Sequence, residues 1–357
     1  MKIIQILPAF HLAGAESMCE SLTYALKRLG HSVIVVSLYD CHTAITERLE
    51  DAGIDIRYLN KSSGFDFSLF KKLYRLLKNE KPDVVHTHLY TIKYLLPVSL
   101  LLKIKCKIHT VHSIAQKEAN IFDKIINFIA YKFCSYYPVG ISPIVHKTIK
   151  QVYKVKDAGL VYNGSDISKA KPKSNVEFSD LINIIHVGRF MQVKNHDGII
   201  RAFSKLSEKY SNLHLDFYGQ GELEEDSRIL ASELGLDDKI TFHGVTDDVY
   251  SALTKSDIFI LCSHYEGMPI TIIEAMATGL PIVATAVGGV VDMVEDGVSG
   301  LLCMDDIDDI AEKISHMIED KDLRQSCSQN ARVKAYEFSS DNMAKGYIDI
   351  YNKFFLK

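Results

Sequence analysis

Glu266 and Glu274 stand eight positions apart in Ser263-His264-Tyr265-Glu266-Gly267-Met268-Pro269-Ile270-Thr271-Ile272-Ile273-Glu274. Pro269 suits the first turn of a helix, which places Glu266 on the preceding loop and Glu274 about one and a half turns into the helix. Backbone N–H groups at such a helix start lack partners within the helix and favour an anion or a sugar hydroxyl. Two carboxylates beside them suit hydroxyl recognition. The plainer alternative makes Glu266 a complement to the helix dipole and Glu274 a surface residue. Against it, Glu274 sits among Ile270, Ile272, Ile273, Ala275, Met276 and Ala277, where an uncompensated charge is costly unless it faces a polar cleft.

A second group is cationic. The run His186-Val187-Gly188-Arg189-Phe190-Met191-Gln192-Val193-Lys194-Asn195-His196 leaves a strand, and Arg189 and Lys194 there suit a diphosphate at a strand's carboxyl end. Taken alone, they equally suit a solvated loop. Gly14, in His11-Leu12-Ala13-Gly14-Ala15-Glu16, opens a helix and lets backbone approach a phosphate, although a tight turn would need it as well. His86, His88, His109 and His112 fall at or beyond strand ends, within reach of a cleft. The competing metal reading of His-x-His lacks a Cys or carboxylate at zinc spacing. Gly219-Gln220-Gly221-Glu222-Leu223-Glu224 has Glu where a dinucleotide fingerprint needs its third Gly, which argues against NAD. Asp306-Ile307-Asp308 reads as part of a solvated acidic turn before a helix.

These residues need strands and helices in alternation, and the chain supplies them. Apolar runs at Lys2–Leu7, Ser32–Leu38, Asp83–Thr87 and Lys107–Val111 read as strands. Three- and four-residue spacing predicts helices from Met18 to Leu29, Leu69 to Leu77 and Ile121 to Phe133. A second series follows. Strands are expected at Leu181–Val187, Leu213–Tyr218, Lys239–Phe242 and Ile258–Leu261, and helices at Asp197–Leu206, Ser227–Leu234 and Pro269–Thr278. The polar stretch Ser165–Asp180, which includes Lys169, Lys171, Pro172, Lys173 and Ser174, reads as the linker. The expectation is α/β, with two Rossmann-like domains facing across an interdomain cleft: an N-terminal acceptor-binding domain over 1–168, a C-terminal donor-binding domain over 169–340, and a last helix in 341–357 that packs back on the first.

Composition sets the outer bounds. The 357 residues are 47% hydrophobic and 24% charged, enough for two cores and incompatible with disorder or a small disulfide scaffold. The net charge of -4 divides into +9 for residues 1–170 and -13 for the rest, which suggests domains with different partners. Seven scattered cysteines without a C-x-x-C pair point to a reducing cytoplasm. Met1–Phe10 reads as a buried strand rather than a signal peptide, and Tyr94–Leu102 is too short to span a bilayer. Lys71, Lys72, Arg75 and Lys78, beside Leu69, Phe70, Leu73, Leu76 and Leu77, suggest either a membrane-surface helix or an ordinary packed one.

Together these segments resemble glycosyltransferase family 4, the retaining GT-B enzymes (glycosyl transferases group 1), over nearly the whole chain. Glu266 to Glu274 matches the family's E-x7-E spacing. The match runs on through Ala275-Met276-Ala277-Thr278-Gly279-Leu280-Pro281, Val287-Gly288-Gly289 and Asp296-Gly297-Val298-Ser299-Gly300. The resemblance implies that Glu266 and the backbone of Gly267, Met268 and Pro269 hold the donor sugar and that Glu274 holds the ribose. It also implies that Arg189 and Lys194 neutralise the diphosphate, with Gly14 contacting it from the other domain. His112, in Thr110-Val111-His112-Ser113, matches the active-site histidine, and Asn163-Gly164 the pair before the linker.

The implied reaction moves a sugar, with retention, from a nucleotide-diphosphate sugar to a saccharide acceptor. UDP-sugar is the expected donor. The acceptor is expected to be lipid-linked, as in capsule, exopolysaccharide or O-antigen assembly in the cytoplasm or peripherally on the inner face of the cell membrane. No cofactor, essential metal or nucleic acid is expected. A non-hydrolysing UDP-sugar 2-epimerase and a non-catalytic nucleotide-sugar-binding protein are the alternatives.

Overall fold

The computed structural model describes residues 1–118, 120–173 and 176–356. Ser174, in the expected linker, lies outside the described residues. The chain divides into two compact units, Met1–Ser165 with Ser340–Lys357, and Asp166–Ser339.

The first unit runs β1 (Lys2–Leu7), α1 (Gly14–Arg28), β2 (Ser32–Ser37), α2 (Ala44–Asp51), β3 (Asp55–Tyr58), α3 (Ser68–Glu80), β4 (Val84–His88), α4 (Ile92–Leu101) and β5 (Cys106–Val111). It continues with α5 (Ala115–Glu118), α6 (Ile121–Phe133), β6 (Tyr136–Gly140), α7 (Pro143–Tyr153) and β7 (Gly159–Leu160). Its seven strands are all parallel in the order β3-β2-β1-β4-β5-β6-β7. The central strands are apolar because helices cover both faces; β1 and β2 are buried over nearly their whole length. The order reverses between β1 and β4, the crevice where α/β sheets take ligands. Gly30, at φ +84, ends α1 in a conformation that side-chain-bearing residues seldom adopt.

The second unit contains β8 (Ile182–Val187), α8 (His196–Lys209), β9 (Leu213–Tyr218), α9 (Glu224–Glu233), β10 (Ile240–Phe242), α10 (Val249–Lys255), β11 (Ile258–Leu261) and α11 (Ile270–Thr278). β12 (Ile282–Thr285), α12 (Val290–Met293), β13 (Leu301–Cys303), α13 (Ile307–Glu319) and α14 (Lys321–Ala335) complete it. Its parallel sheet has the order β10-β9-β8-β11-β12-β13, with the reversal between β8 and β11. Ile184, Phe203, Leu215, Phe217, Ile260 and Met317 belong to its core. Asp306 caps α13 by accepting from the N–H groups of Asp308 and Asp309, so the acidic turn read from the sequence is a helix start.

The last helix, α15 (Ser340–Asn352), belongs to the first unit and packs on α1. The expectation for His86 and His88 needs correcting. Both lie inside β4 and are fully buried, as His109 is inside β5; only His112 lies past its strand. β5 ends at the expected Val111, and β4 runs one residue past the expected Thr87, to His88.

Candidate active site

In the second unit, the loops after β8 and β11 meet at the reversal point of the sheet. The β8 loop ends in a single 3-10 turn, Gln192–Lys194, and the β11 loop carries Ser263 to Glu266. Two bonds join them: His264 N–H donates to Val193 O at 2.9 Å, and Asn195 Nδ2 donates to Cys262 O at 3.1 Å. Asn195 sits at φ +55, where Asn is tolerated, and its Oδ1 caps α8 by accepting from Gly198 N.

The two expected charges are thereby brought together. Lys194 Nζ lies 2.6 Å from Glu266 Oε1, and Ser263 Oγ donates to the same oxygen at 2.7 Å. Both side chains are mostly buried, where a charge-assisted bond is strong and a missing partner costly. The turn after β12 closes on the same loop. Gly289 N donates to Glu266 O at 3.3 Å, and Gly288 has φ +54, with no room for a Cβ against that carbonyl. Met268 and Pro269 are buried, Pro269 immediately precedes α11 without a side-chain cap, and Gly267 is half-buried beside them. Glu274 is half-buried on α11. Arg189 is exposed on the β8 loop, with no ion-pair partner among the described residues.

Gly219 and Gly221, which do not complete a dinucleotide fingerprint, have a packing reason. Gly219 has φ +144, and a Cβ on it would overlap Gly188 O; a Cβ on Gly221 would overlap Phe190 O. The β9 loop thus supports the backbone that carries Arg189.

In the first unit, Gly14 is the first residue of α1, with no atom within 4 Å of where a Cβ would stand. His112 follows β5 and belongs to a chain of hydrogen bonds that sets its tautomer. Thr23 Oγ1 donates to Cys19 O at 2.7 Å and so accepts from Gln5 Nε2 at 2.6 Å. That orients the amide so that Gln5 Oε1 accepts from His88 Nε2 at 3.2 Å. His88 Nδ1 is left as the acceptor for His112 Nε2 at 3.1 Å, and His112 Nδ1 keeps its lone pair. Burial lowers the His112 pKa to about 3, so the ring is neutral.

His86 bonds Tyr351 OH at 2.8 Å and Thr110 Oγ1 at 2.7 Å. Both nitrogens of His86 and of His88 are therefore engaged within the protein, which leaves the His-x-His pair no free lone pair for a metal. Among the described residues no group of three or more His, Cys, Asp or Glu could hold a metal ion. Asn163, before the second unit, is buried.

Ser263, Asn195, Gln5 and Thr23 were given no role from the sequence. The signal for Ser263 in the sequence is a hydroxyl three residues before the loop carboxylate Glu266. Gln5, a polar residue in an otherwise apolar strand, was the other.

Residues 12–169 match the model of Glycosyltransferase Family 4, and residues 168–334 match that of Glycosyl transferases group 1. The N-acetyl-alpha-D-glucosaminyl L-malate synthase of Bacillus anthracis is 26% identical, over 80% of this chain and 79% of its own. The UDP-Gal:alpha-D-GlcNAc-diphosphoundecaprenol alpha-1,3-galactosyltransferase of Escherichia coli is 29% identical, over 75% of this chain and 74% of its own. The Anabaena protein HepE, solved with UDP and glucose, superposes with a TM-score of 0.86 at 19% identity, covering 99% of this chain and 100% of HepE. The chain belongs to glycosyltransferase family 4, with the GT-B fold of that retaining family.

Proposed function

We propose that this protein transfers a hexosyl or N-acetylhexosaminyl group, with retention, from a UDP-sugar to a lipid-linked saccharide in surface polysaccharide assembly. The observation that carries the reading is the Lys194–Glu266 pair at 2.6 Å, on two loops meeting where the sheet order reverses. As the bond to the sugar breaks, charge develops on the diphosphate and the sugar acquires oxocarbenium character. Lys194 and Arg189 meet the phosphate charge. Glu266, aimed by Ser263 and Lys194, and the backbone of Gly267, Met268 and Pro269 hold the sugar hydroxyls, while Glu274 holds the ribose. Gly14 lets the start of α1 approach phosphate, and neutral His112 offers Nδ1 as an acceptor to a hydroxyl. The leaving diphosphate takes the acceptor's proton, and no metal ion has an essential part. The names of the Escherichia coli relative and of the HepE complex support UDP and a diphosphoundecaprenol-linked acceptor.

The test is UDP release and product stereochemistry over a panel of UDP-sugars and diphosphoundecaprenol-linked saccharides. Lys194→Ala and Glu266→Ala are expected to lose activity by about 3–4 kcal/mol of barrier, and, because each leaves a mostly buried charge without its partner, to melt lower than the wild type while still folding, so turnover is measured well below each variant's melting temperature. Near-native turnover by both variants would refute the assignment. Conversion of UDP-sugar to its 2-epimer without acceptor would make the protein an epimerase, and binding without turnover would make it a non-catalytic nucleotide-sugar-binding protein.

A further inference from the structure

Helix α6 turns polar residues inward. Its buried face is Asp123, Asn127, Ala130 and Tyr131, with Asp123 paired to Lys93 at 3.1 Å. Its outward face carries Ile121, Phe122, Ile125, Ile129 and Phe133, with Ile121 80% and Phe133 70% exposed. A helix covering a core in water has the opposite arrangement, and a contiguous exposed apolar surface marks an interaction site. Helix α4 lies beside α6. Lys93 meets Asp123 near the start of both, and Ser99 Oγ lies 2.9 Å from the hydroxyl of Tyr136, just past the end of α6. Leu100 and Leu101, both exposed, therefore fall at the Phe133 end.

The surroundings are cationic. Residues 84–156 hold eleven lysines, no arginine and two acids, Glu118 and Asp123, which accounts for the whole +9 of residues 1–170. Neither acid sits on the apolar face: Asp123 is the partner of Lys93, and Glu118 accepts from His112 N at 2.9 Å. Lys124 and Lys132 flank the face on α6, and Lys103 and Lys105 follow α4.

We propose that the outward face of α6, with the end of α4, seats on an anionic lipid bilayer, its apolar side chains entering the acyl boundary and Lys103, Lys105, Lys124 and Lys132 meeting headgroup phosphates. An apolar stripe flanked by lysine is the pattern of a helix lying in the interface plane. A second copy of the chain fits poorly, because a two-fold contact through α6 sets Lys124 and Lys132 against the same cations without an intervening carboxylate. The basic helix α3 differs: Leu69, Leu73 and Leu77 are buried, so its apolar stripe already faces the core. Seating is peripheral, since no helix among the described residues is long and apolar enough to cross a membrane. The placement stands on α6 and its neighbours and is independent of the donor and acceptor.

The test is co-sedimentation with phosphatidylcholine vesicles, with and without phosphatidylglycerol, at low and high salt. Binding is expected only with phosphatidylglycerol and is expected to fall with salt. Phe122→Ser/Ile125→Ser/Phe133→Ser should weaken it at least about tenfold, and Lys124→Gln/Lys132→Gln about fivefold per lysine. Both variants should keep the wild-type melting temperature and thermal shift with UDP, a readout that separates failure here from failure of the donor site. Lys71→Gln/Lys72→Gln/Arg75→Gln should bind as wild type. Absent binding, equal binding to pure phosphatidylcholine, wild-type binding by the serine variant, or loss of binding in the α3 variant would each overturn the proposal. So would a lipid-free dimer that the serine variant dissociates.

Discussion

Lys194 is held by Glu266, and Glu266 by Lys194, Ser263 and the backbone of Gly289, so the orientation of each charge depends on three loops. The glycines around the site separate packing from ligand approach. Gly288 is at φ +54 against Glu266 O, and Gly288→Ala should push that loop aside, lowering melting temperature and donor affinity together. Gly14 has open space above it, so Gly14→Ala should leave the melting temperature unchanged or raised while turnover falls. Thermal melts and steady-state kinetics on the two variants check this; wild-type turnover in Gly14→Ala removes its phosphate role. Glu266, Glu274 and Lys194 were legible because their spacing is short and their types fit hydroxyls and phosphate. Asn195 was not, because the carbonyl it binds comes from another loop, and Ser263 was not, because its bond to Glu266 three residues on depends on how their shared loop is folded.

At the scale of elements, α15 completes the first unit through polar contacts as well as packing. Tyr351 OH bonds His86 and Tyr347 OH bonds Thr110 at 2.6 Å, all four residues being fully buried. Tyr351→Phe leaves a buried ring nitrogen unpaired and is expected to destabilise by about 1–3 kcal/mol. Urea denaturation measures it, and an unchanged midpoint would deny the bond its role. The helix periods and the strand runs with unbroken apolar character were readable. Strand β6 was not, because Pro138 interrupts a run that is central in the sheet, where proline is disfavoured. The end of β4 falls at His88, one residue past the expected Thr87, for a related reason, since a buried network satisfies groups that look solvated in a linear reading.

Over the whole molecule, buried titratable groups in the first unit set an opposed pH dependence. Burial raises the Glu118 pKa to about 8, so the folded state binds a proton that the unfolded state has released, and stability falls as pH rises through about 8. Burial lowers His109 and His112 to about 3, so their contribution is present above the ordinary 6.5 and is lost as pH falls towards about 3. Between pH 6.5 and about 8 these two histidines are neutral in both states, and Glu118 governs the slope. Glu118→Gln should flatten it, raising the melting temperature at pH 8 while leaving it near wild type at pH 5; parallel curves for both proteins would refute the assignment. The sequence by itself determined two Rossmann-like series, the loop positions of Glu266 and Lys194, and a basic N-terminal half beside an acidic C-terminal half, because periodicity, short-range spacing and charge are local properties. Tertiary structure alone decided that Lys194 meets Glu266, that Gln5 and His88 set the tautomer of His112, and that α6 faces outward with its apolar stripe. Each depends on which strands and helices become neighbours, and α6 has the same period whichever face is covered.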